Sequence, residues 1–223
     1  MRAATRPLHI VISAGPTREP IDPVRFLSNY STGYMGSRLA TEALARGHQV
    51  TVVSGPSKEL LPSRARVMLV ETAKEMEHAL RRQMKHADAV IMAAAVSDFR
   101  PVRAASRKLP RRVRHRLTLE ATPDIVARLP RHARQVVVGF ALETGDVLPR
   151  ARRKLRAKRL DLLIAQRANG KGSPFGRQAV DAWLLERSGM VTKLGRLSKS
   201  KVARALLDKV EGLWYGQRGF RHA

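Results

Sequence analysis

The densest group of reactive side chains lies between Gly15 and Gly36, where Thr17, Arg18, Asp22, Arg25, Asn29, Ser31 and Thr32 fall within 22 residues. These types suit the handling of an anion. Ser31-Thr32-Gly33 precedes a helical pattern, so free backbone N–H groups and the positive end of a helix dipole would face a bound charge. Arg25 and Asn29 would lie near it. The same Ser and Thr serve equally well as an ordinary helix N-cap.

A second group follows the small-residue run Ala93-Ala94-Ala95, which lets a ligand ring approach the backbone. Asp98 comes next, and Lys108, ten residues further on, could bring a cation back to a phosphate. Thr122-Pro123-Asp124-Ile125 reads as an N-cap at Thr122 with proline at the first helical position, a second helix start able to accept an anion. From Arg100 to Arg116 there are eight basic residues, two prolines and no acid. This reads as a flexible flap able to close over an anionic ligand, or as a solvated surface loop.

Several chemistries are excluded. There is no cysteine, hence no disulfide scaffold, thiolate zinc site or cysteine nucleophile. The seven histidines are scattered without ligand spacing. No G-x-G-x-x-G follows the first strand-like run, and no Walker A lysine motif occurs.

The elements that must position these residues alternate in type. Strands are predicted at Leu8–Ser13, Val50–Val53, Val67–Val70, Asp88–Val96, Val136–Leu142, Asp161–Ala165 and Ala182–Glu186. Helices are predicted from about Met35 to Gly47, then over Ala73–Met84, Val147–Arg159 and Ser198–Leu213. Such alternation argues an α/β fold, a central mostly parallel sheet covered on both faces. Ligands of such sheets bind outside the carboxyl ends of the strands, where both reactive groups fall.

The chain has 223 residues, 43% of them hydrophobic, enough for one sizeable core. A single domain over 1–211 is expected, with 212–223 as a tail carrying Trp214, Tyr215 and Phe220. No apolar run approaches the roughly 18–20 residues that span a bilayer, and the start shows no secretory signal, so a cytoplasmic protein with no membrane contact is expected. The formal charge of +25 raises nucleic acid as a partner. Aromatic residues are only 4%, too few for base-stacking platforms, so non-specific, salt-sensitive binding is the expectation.

The motifs together resemble one family. Ser13-Ala14-Gly15-Pro16-Thr17-Arg18-Glu19-Pro20-Ile21-Asp22-Pro23-Val24-Arg25-Phe26-Leu27-Ser28-Asn29 is similar to the opening of the phosphopantothenate–cysteine ligases, as is Ser31-Thr32-Gly33-Tyr34-Met35-Gly36. Ala94-Ala95-Val96-Ser97-Asp98-Phe99-Arg100-Pro101, Thr122-Pro123-Asp124-Ile125 and Val138-Gly139-Phe140-Ala141-Leu142-Glu143-Thr144 continue the likeness, followed by Ala151-Arg152-Arg153-Lys154, Lys158 and Leu160-Asp161. It spans about residues 8 to 166, in order.

The resemblance implies a Rossmann-like three-layer fold, a homodimer, and a basic flap over the site. It implies activation of 4′-phosphopantothenate by CTP, or ATP, with Mg²⁺, through an acyl-cytidylate, then amide formation with cysteine. Asn29 would act on the acyl intermediate, assisted by Arg25 and Ala95, and Lys108 would serve nucleotide binding and activation. The nucleotide shell would comprise Met92, Ala93, Ala94, Asp98, Pro123, Asp124, Ile125, Val126, Phe140, Lys154 and Lys158, with Gly15, Thr17, Ser31, Thr32, Gly33 and Gly36 as the phosphate and substrate loop. No flavin is expected in this chain, and any phosphopantothenoylcysteine decarboxylase would be a separate protein. No metal ligands are assigned. The sequence departs from the family pattern at Pro110, where a charge is usual, and at Gln166, where Asn is usual. A catalytically degenerate member and a basic nucleic-acid-binding protein are the alternative readings.

Overall fold

In the computed structural model, residues 6–111, 114–168 and 174–216 are described. Six parallel strands form the middle of an eight-stranded sheet: β1 (His9–Ala14), β4 (Gln49–Ser54), β5 (Arg66–Leu69), β6 (Ala89–Met92), β9 (Val136–Glu143) and β10 (Leu162–Arg167). Two antiparallel strands, β11 (Val180–Glu186) and β12 (Val191–Leu197), close one edge, giving the order β12-β11-β10-β9-β6-β1-β4-β5. β1, β6 and β10 are almost wholly buried because helices cover both sheet faces, which is why they read as unbroken apolar runs.

On one face α1 (Tyr34–Ala45) and α5 (Lys199–Gly216) pack through Leu39, Ala43, Val202, Leu206 and Trp214. On the other, α2 (Ala73–Met84), the short α3 (Ile125–Arg128) and α4 (Val147–Ala157) bury Met76, Leu80, Val126, Ala151 and Leu155. The result is the expected three-layer α/β fold with a mostly parallel sheet. The chain leaves β1 towards β4 on one side and returns through β6 on the other, so the strand order reverses between β1 and β6. That reversal opens a crevice where ligands of open α/β sheets bind.

Several details differ from the sequence expectations. The predicted strand Asp88–Val96 ends at Met92, and Ala93–Val96 leave the sheet, with Ala95 returning as an isolated bridge to Pro16. The N-cap of α1 is Gly33, not Ser31 or Thr32: its φ of 84° is left-handed, which glycine adopts without a Cβ penalty. The N-cap of α3 is Asp124, not Thr122; its carboxylate accepts from Ala127 N at 3.2 Å, and Pro123 stays outside the helix. The boundary expected at 211/212 falls inside α5, which runs on to Gly216. Trp214 is buried beneath the Arg6 guanidinium, and Tyr215 donates its hydroxyl to Arg6 O, so this turn belongs to the core. Phe220 lies outside the described residues.

Two small hairpin-like pairs went unread: β2 (Arg18–Pro20) with β3 (Phe26–Ser28), and β7 (Phe99–Pro101) with β8 (Leu119–Ala121). Each strand has three residues, too short to show a period. β7 and β8 form the stem of the basic flap. No helix is long and apolar enough to cross a membrane among the described residues.

Candidate functional site

The loops leaving β1 and β6 are knitted together at the crevice. Thr17 N donates to Ala95 O at 3.2 Å, Ala95 N to Gly15 O at 2.9 Å, and Ser97 N to Thr17 Oγ1 at 2.9 Å. Thr17 is fully buried. Gly15 and Thr17 therefore build the floor of the site and do not line its opening. Gly36 lets α1 sit on the end of β1, since a Cβ there would lie 2.4 Å from that of Ala14.

A cavity of about 610 Å³ opens beside this floor, across the carboxyl ends of β6, β9 and β10. Ser31, Thr32, Gly33 and Gly36 line its α1 side, and Ala95 its floor. Every expected nucleotide contact except Lys108 lines it too, so residues from Met92 to Phe140 to Lys158 converge on one space. A larger cleft of about 740 Å³ lies at the opposite end of the sheet. Its arginines are occupied internally: Arg131 donates to Arg159 O and Lys158 O, and Arg187 donates to Leu160 O and pairs with Asp161. The reactive residues all gather at the other end, and that cavity is the candidate site.

Its electrostatics are positive. Lys154 and Lys158 stand one turn apart on the cavity side of α4. Lys154 Nζ donates to Phe140 O at 2.8 Å, and Lys158 pairs with Asp124 at 3.2 Å. Burial first, then the neighbouring Lys158, pushes the Lys154 ammonium below the usual lysine range. Asp98 and Asp124 are the carboxylates on the cavity wall. No group of three or more His, Cys, Asp or Glu placed to hold a metal occurs among the described residues.

Three expected residues lie outside the cavity lining. Asn29 is exposed, and its Nδ2 donates to Ala95 O at 2.9 Å, so it meets the cavity through that alanine. Arg25 is drawn the other way, its guanidinium bonded to Asp22 and to Leu109 O. Lys108 is exposed in the segment between β7 and β8, and no described residue from 100 to 120 lines the cavity. Instead of covering the site, the flap rests on the turn joining β2 to β3, through Leu109 N to Asp22 and Ala105 N to Ile21 O. Main-chain and carboxylate contacts to that turn outcompete a cavity that offers the flap's cations only other cations.

Sequence reasoning missed Lys199, the first residue of α5. It is 5% exposed, lines the cavity, and donates from Nζ to Gly176 O at 2.7 Å. The signal was present: Lys199 shares the helical stripe of Val202, Ala203 and Leu206, the buried face of α5. Gln166, also on the cavity wall, leaves its buried Nε2 without a hydrogen-bond partner among the described residues.

Burial lowers the Lys199 pKa from 10.5 to about 8, partly opposed by Glu59. The folded protein therefore releases this proton before the unfolded chain does. Stability should rise with pH from about 8 towards 10.5, by about 3 kcal/mol at most for this group. Denaturant titrations across that range should show the slope in the wild type and its loss in Lys199→Met; parallel curves would contradict the assignment.

The fold and site define a nucleotide-handling α/β domain, and comparison with known proteins places it. The family described as the DNA/pantothenate metabolism flavoprotein C-terminal domain matches residues 5–213, and the chain belongs to that family. It is 38% identical over 206 residues to a cysteine/cysteine sulfinic acid decarboxylase of an unknown prokaryotic organism, covering 90% of this chain and 57% of the relative. It is 38% identical over 215 residues to the coenzyme A biosynthesis bifunctional protein CoaBC of Mycobacterium bovis, covering 90% and 51%. The chain thus spans about half the length of these curated relatives. Among solved structures, the C-terminal domain of a CoaBC protein is 33% identical with a TM-score of 0.79, covering 95% of this chain and all of that one. A Cab2 variant in complex with phosphopantothenate-cysteine shares the fold, with a TM-score of 0.75 at 16% identity.

Proposed function

We propose that the chain is a phosphopantothenate–cysteine ligase of coenzyme A biosynthesis, using CTP. The observation that carries this reading is the convergence of Lys154, Lys158, the α1 start and the Asn29–Ala95 contact on one cavity at the sheet's switch point. The family membership and the relatives' names support it.

The reaction needs no protein nucleophile. A carboxylate oxygen of 4′-phosphopantothenate attacks the α-phosphorus of CTP, and pyrophosphate leaves. The cysteine amine then attacks the acyl carbon; CMP departs with the carboxylate oxygen, and the amine loses a proton. Negative charge gathers on phosphoryl oxygens in the first step, where Lys154, Lys158 and the N–H groups at the α1 start provide fixed positive ends. In the second step charge gathers on the acyl oxygen, where an amide N–H from Asn29 can stabilise it.

Mg²⁺ suits a wall bearing single carboxylates, since this ion binds one or two carboxylates together with substrate phosphates. Asp98 or Asp124 would hold it, and it would neutralise phosphate charge. A homodimer, a cytoplasmic location and a separate decarboxylase acting on the product belong to the same reading, and nucleic-acid binding to this surface is non-specific within it.

The test is incubation with 4′-phosphopantothenate, cysteine, Mg²⁺ and either CTP or ATP. Pyrophosphate and a cysteine-containing amide are expected, faster with CTP. No cysteine-dependent product with either nucleotide would overturn the reading.

A further inference from the structure

The side chain of Asp22 is completely buried, although it sits in a surface turn between two short strands. A buried carboxylate is tolerated only when hydrogen bonds replace its water. Asp22 Oδ1 accepts from Val24 N and Arg25 N, both at 2.9 Å. These two bonds form the local turn that aspartate commonly makes, and they explain its presence there.

Oδ2 does something a turn does not need. It accepts from Arg25 Nε at 2.9 Å, from Arg25 Nη2, and from Leu109 N at 3.1 Å, 87 residues away. Arg25 Nη2 also donates to Leu109 O at 2.9 Å. The N–H and C=O of one flap residue are thus both held by a single Asp–Arg pair. Leu109 N is the nitrogen of the Lys108–Leu109 peptide, so the clamp fixes the peptide that carries Lys108. Ala105 N to Ile21 O, at 2.9 Å, is a second attachment on the same side. The Arg25 guanidinium holds the Asp22 carboxyl well below the usual carboxylate range, so the clamp stays charged at any pH at which the protein is handled.

We propose that Asp22 is a positioning residue that yokes Arg25 to the flap and thereby sets Lys108. Its catalytic consequence rests on the ligase reading; the clamp itself does not. Arg25 and Lys108, far apart in sequence, then move as one unit about a shared carboxylate, and an opening of the flap displaces both.

Asp22→Asn separates the two roles of this side chain. Its Oδ1 still accepts from Val24 and Arg25, so the turn is kept. Its Nδ2 is a donor facing the donors Leu109 N and Arg25 Nε, so the clamp is lost. Limited trypsin digestion of the full chain, mapped by mass spectrometry, reads the result. Cleavage after Arg107 and Lys108 should quicken roughly tenfold or more in Asp22→Asn relative to other sites, as loss of a charge-assisted bond predicts when cleavage follows opening. Asp22→Glu should restore part of the protection. Leu109→Pro removes the amide hydrogen from the flap side and should give the same cleavage without touching the turn.

In the ligase assay, Asp22→Asn should slow pyrophosphate release while the KM for cysteine stays unchanged. Unchanged cleavage in both Asp22→Asn and Leu109→Pro, each with a wild-type far-ultraviolet spectrum, would overturn the clamp. Faster cleavage in an enzyme with no ligase activity would keep the clamp and overturn the ligase reading.

Discussion

Replacing Asn29 by Asp should uncouple the two half-reactions: pyrophosphate release persists while amide formation falls by roughly 10²–10³, the loss typical of one oxyanion donor. Asn29 Nδ2 donates to Ala95 O at 2.9 Å, on the wall where the phosphopantothenate carboxyl must meet the nucleotide. A second hydrogen on the same nitrogen is available to an acyl oxygen. Aspartate has no hydrogen to give at this site and turns a carboxylate towards the Ala95 carbonyl. The first half-reaction builds charge at the phosphate, where the lysines and the α1 start act. The second builds it at the acyl carbon, where the amide acts. Rapid-quench measurement should show one equivalent of pyrophosphate per site and an accumulating acyl-cytidylate. Equal loss of both steps would assign Asn29 to the architecture of the Ala95 loop. Asn29→Ala should fall between, since it removes the donor without adding charge.

The parts of this site differ in how far the sequence discloses them, and for a physical reason. α2 was predicted over the residues it occupies, because Met76, Leu80 and Met84 repeat at helical spacing and Thr72 caps the start. The cavity wall was readable because it is built from strand ends, and strand ends follow from apolar runs. β12 was not readable: its exposed Thr192, Lys193 and Arg196, with Gly195 at φ 73°, describe an edge strand with a bulge. The flap's resting place was beyond reach for a different reason. Leu109 is held by its backbone, and a backbone N–H has no residue type to signal its partner. The burial of Lys199 was written in the α5 stripe, but a lysine among Ser198, Ser200 and Lys201 reads as surface.

The excess charge divides in the same way. Of the basic run from Arg150 to Arg159, only Lys154 and Lys158 face the cavity, because the pair shares the helical side of the buried Ala151 and Leu155, while Arg152, Arg153 and Arg156 are exposed. The composition announced an anion; the helical period says which two cations of that run meet it.

Those two lysines should respond to truncation in opposite directions for stability and binding. Lys154 is held below the usual lysine range by burial, and its close hydrogen bond is to a neutral carbonyl, so the empty cavity carries an ammonium at a cost. Lys154→Met keeps the stem, removes the charge and relieves Lys158. The free protein should melt about 2–4 °C higher, the response of a domain this size to roughly 1 kcal/mol. Nucleotide affinity should fall roughly 10–100-fold, because a charge-assisted bond to phosphate is lost. Lys158→Met is expected to differ in sign for stability. Its partner Asp124, at 3.2 Å, would be left beside the α3 start without its cation, so the melting temperature should not rise. Thermal melts without ligand and calorimetric titration with CTP separate the cases. A Lys154→Met protein that is both less stable and unchanged in affinity would make Lys154 a structural strut for Phe140. A protein that is more stable and binds poorly would show that this cavity gives up folding stability to hold an anion.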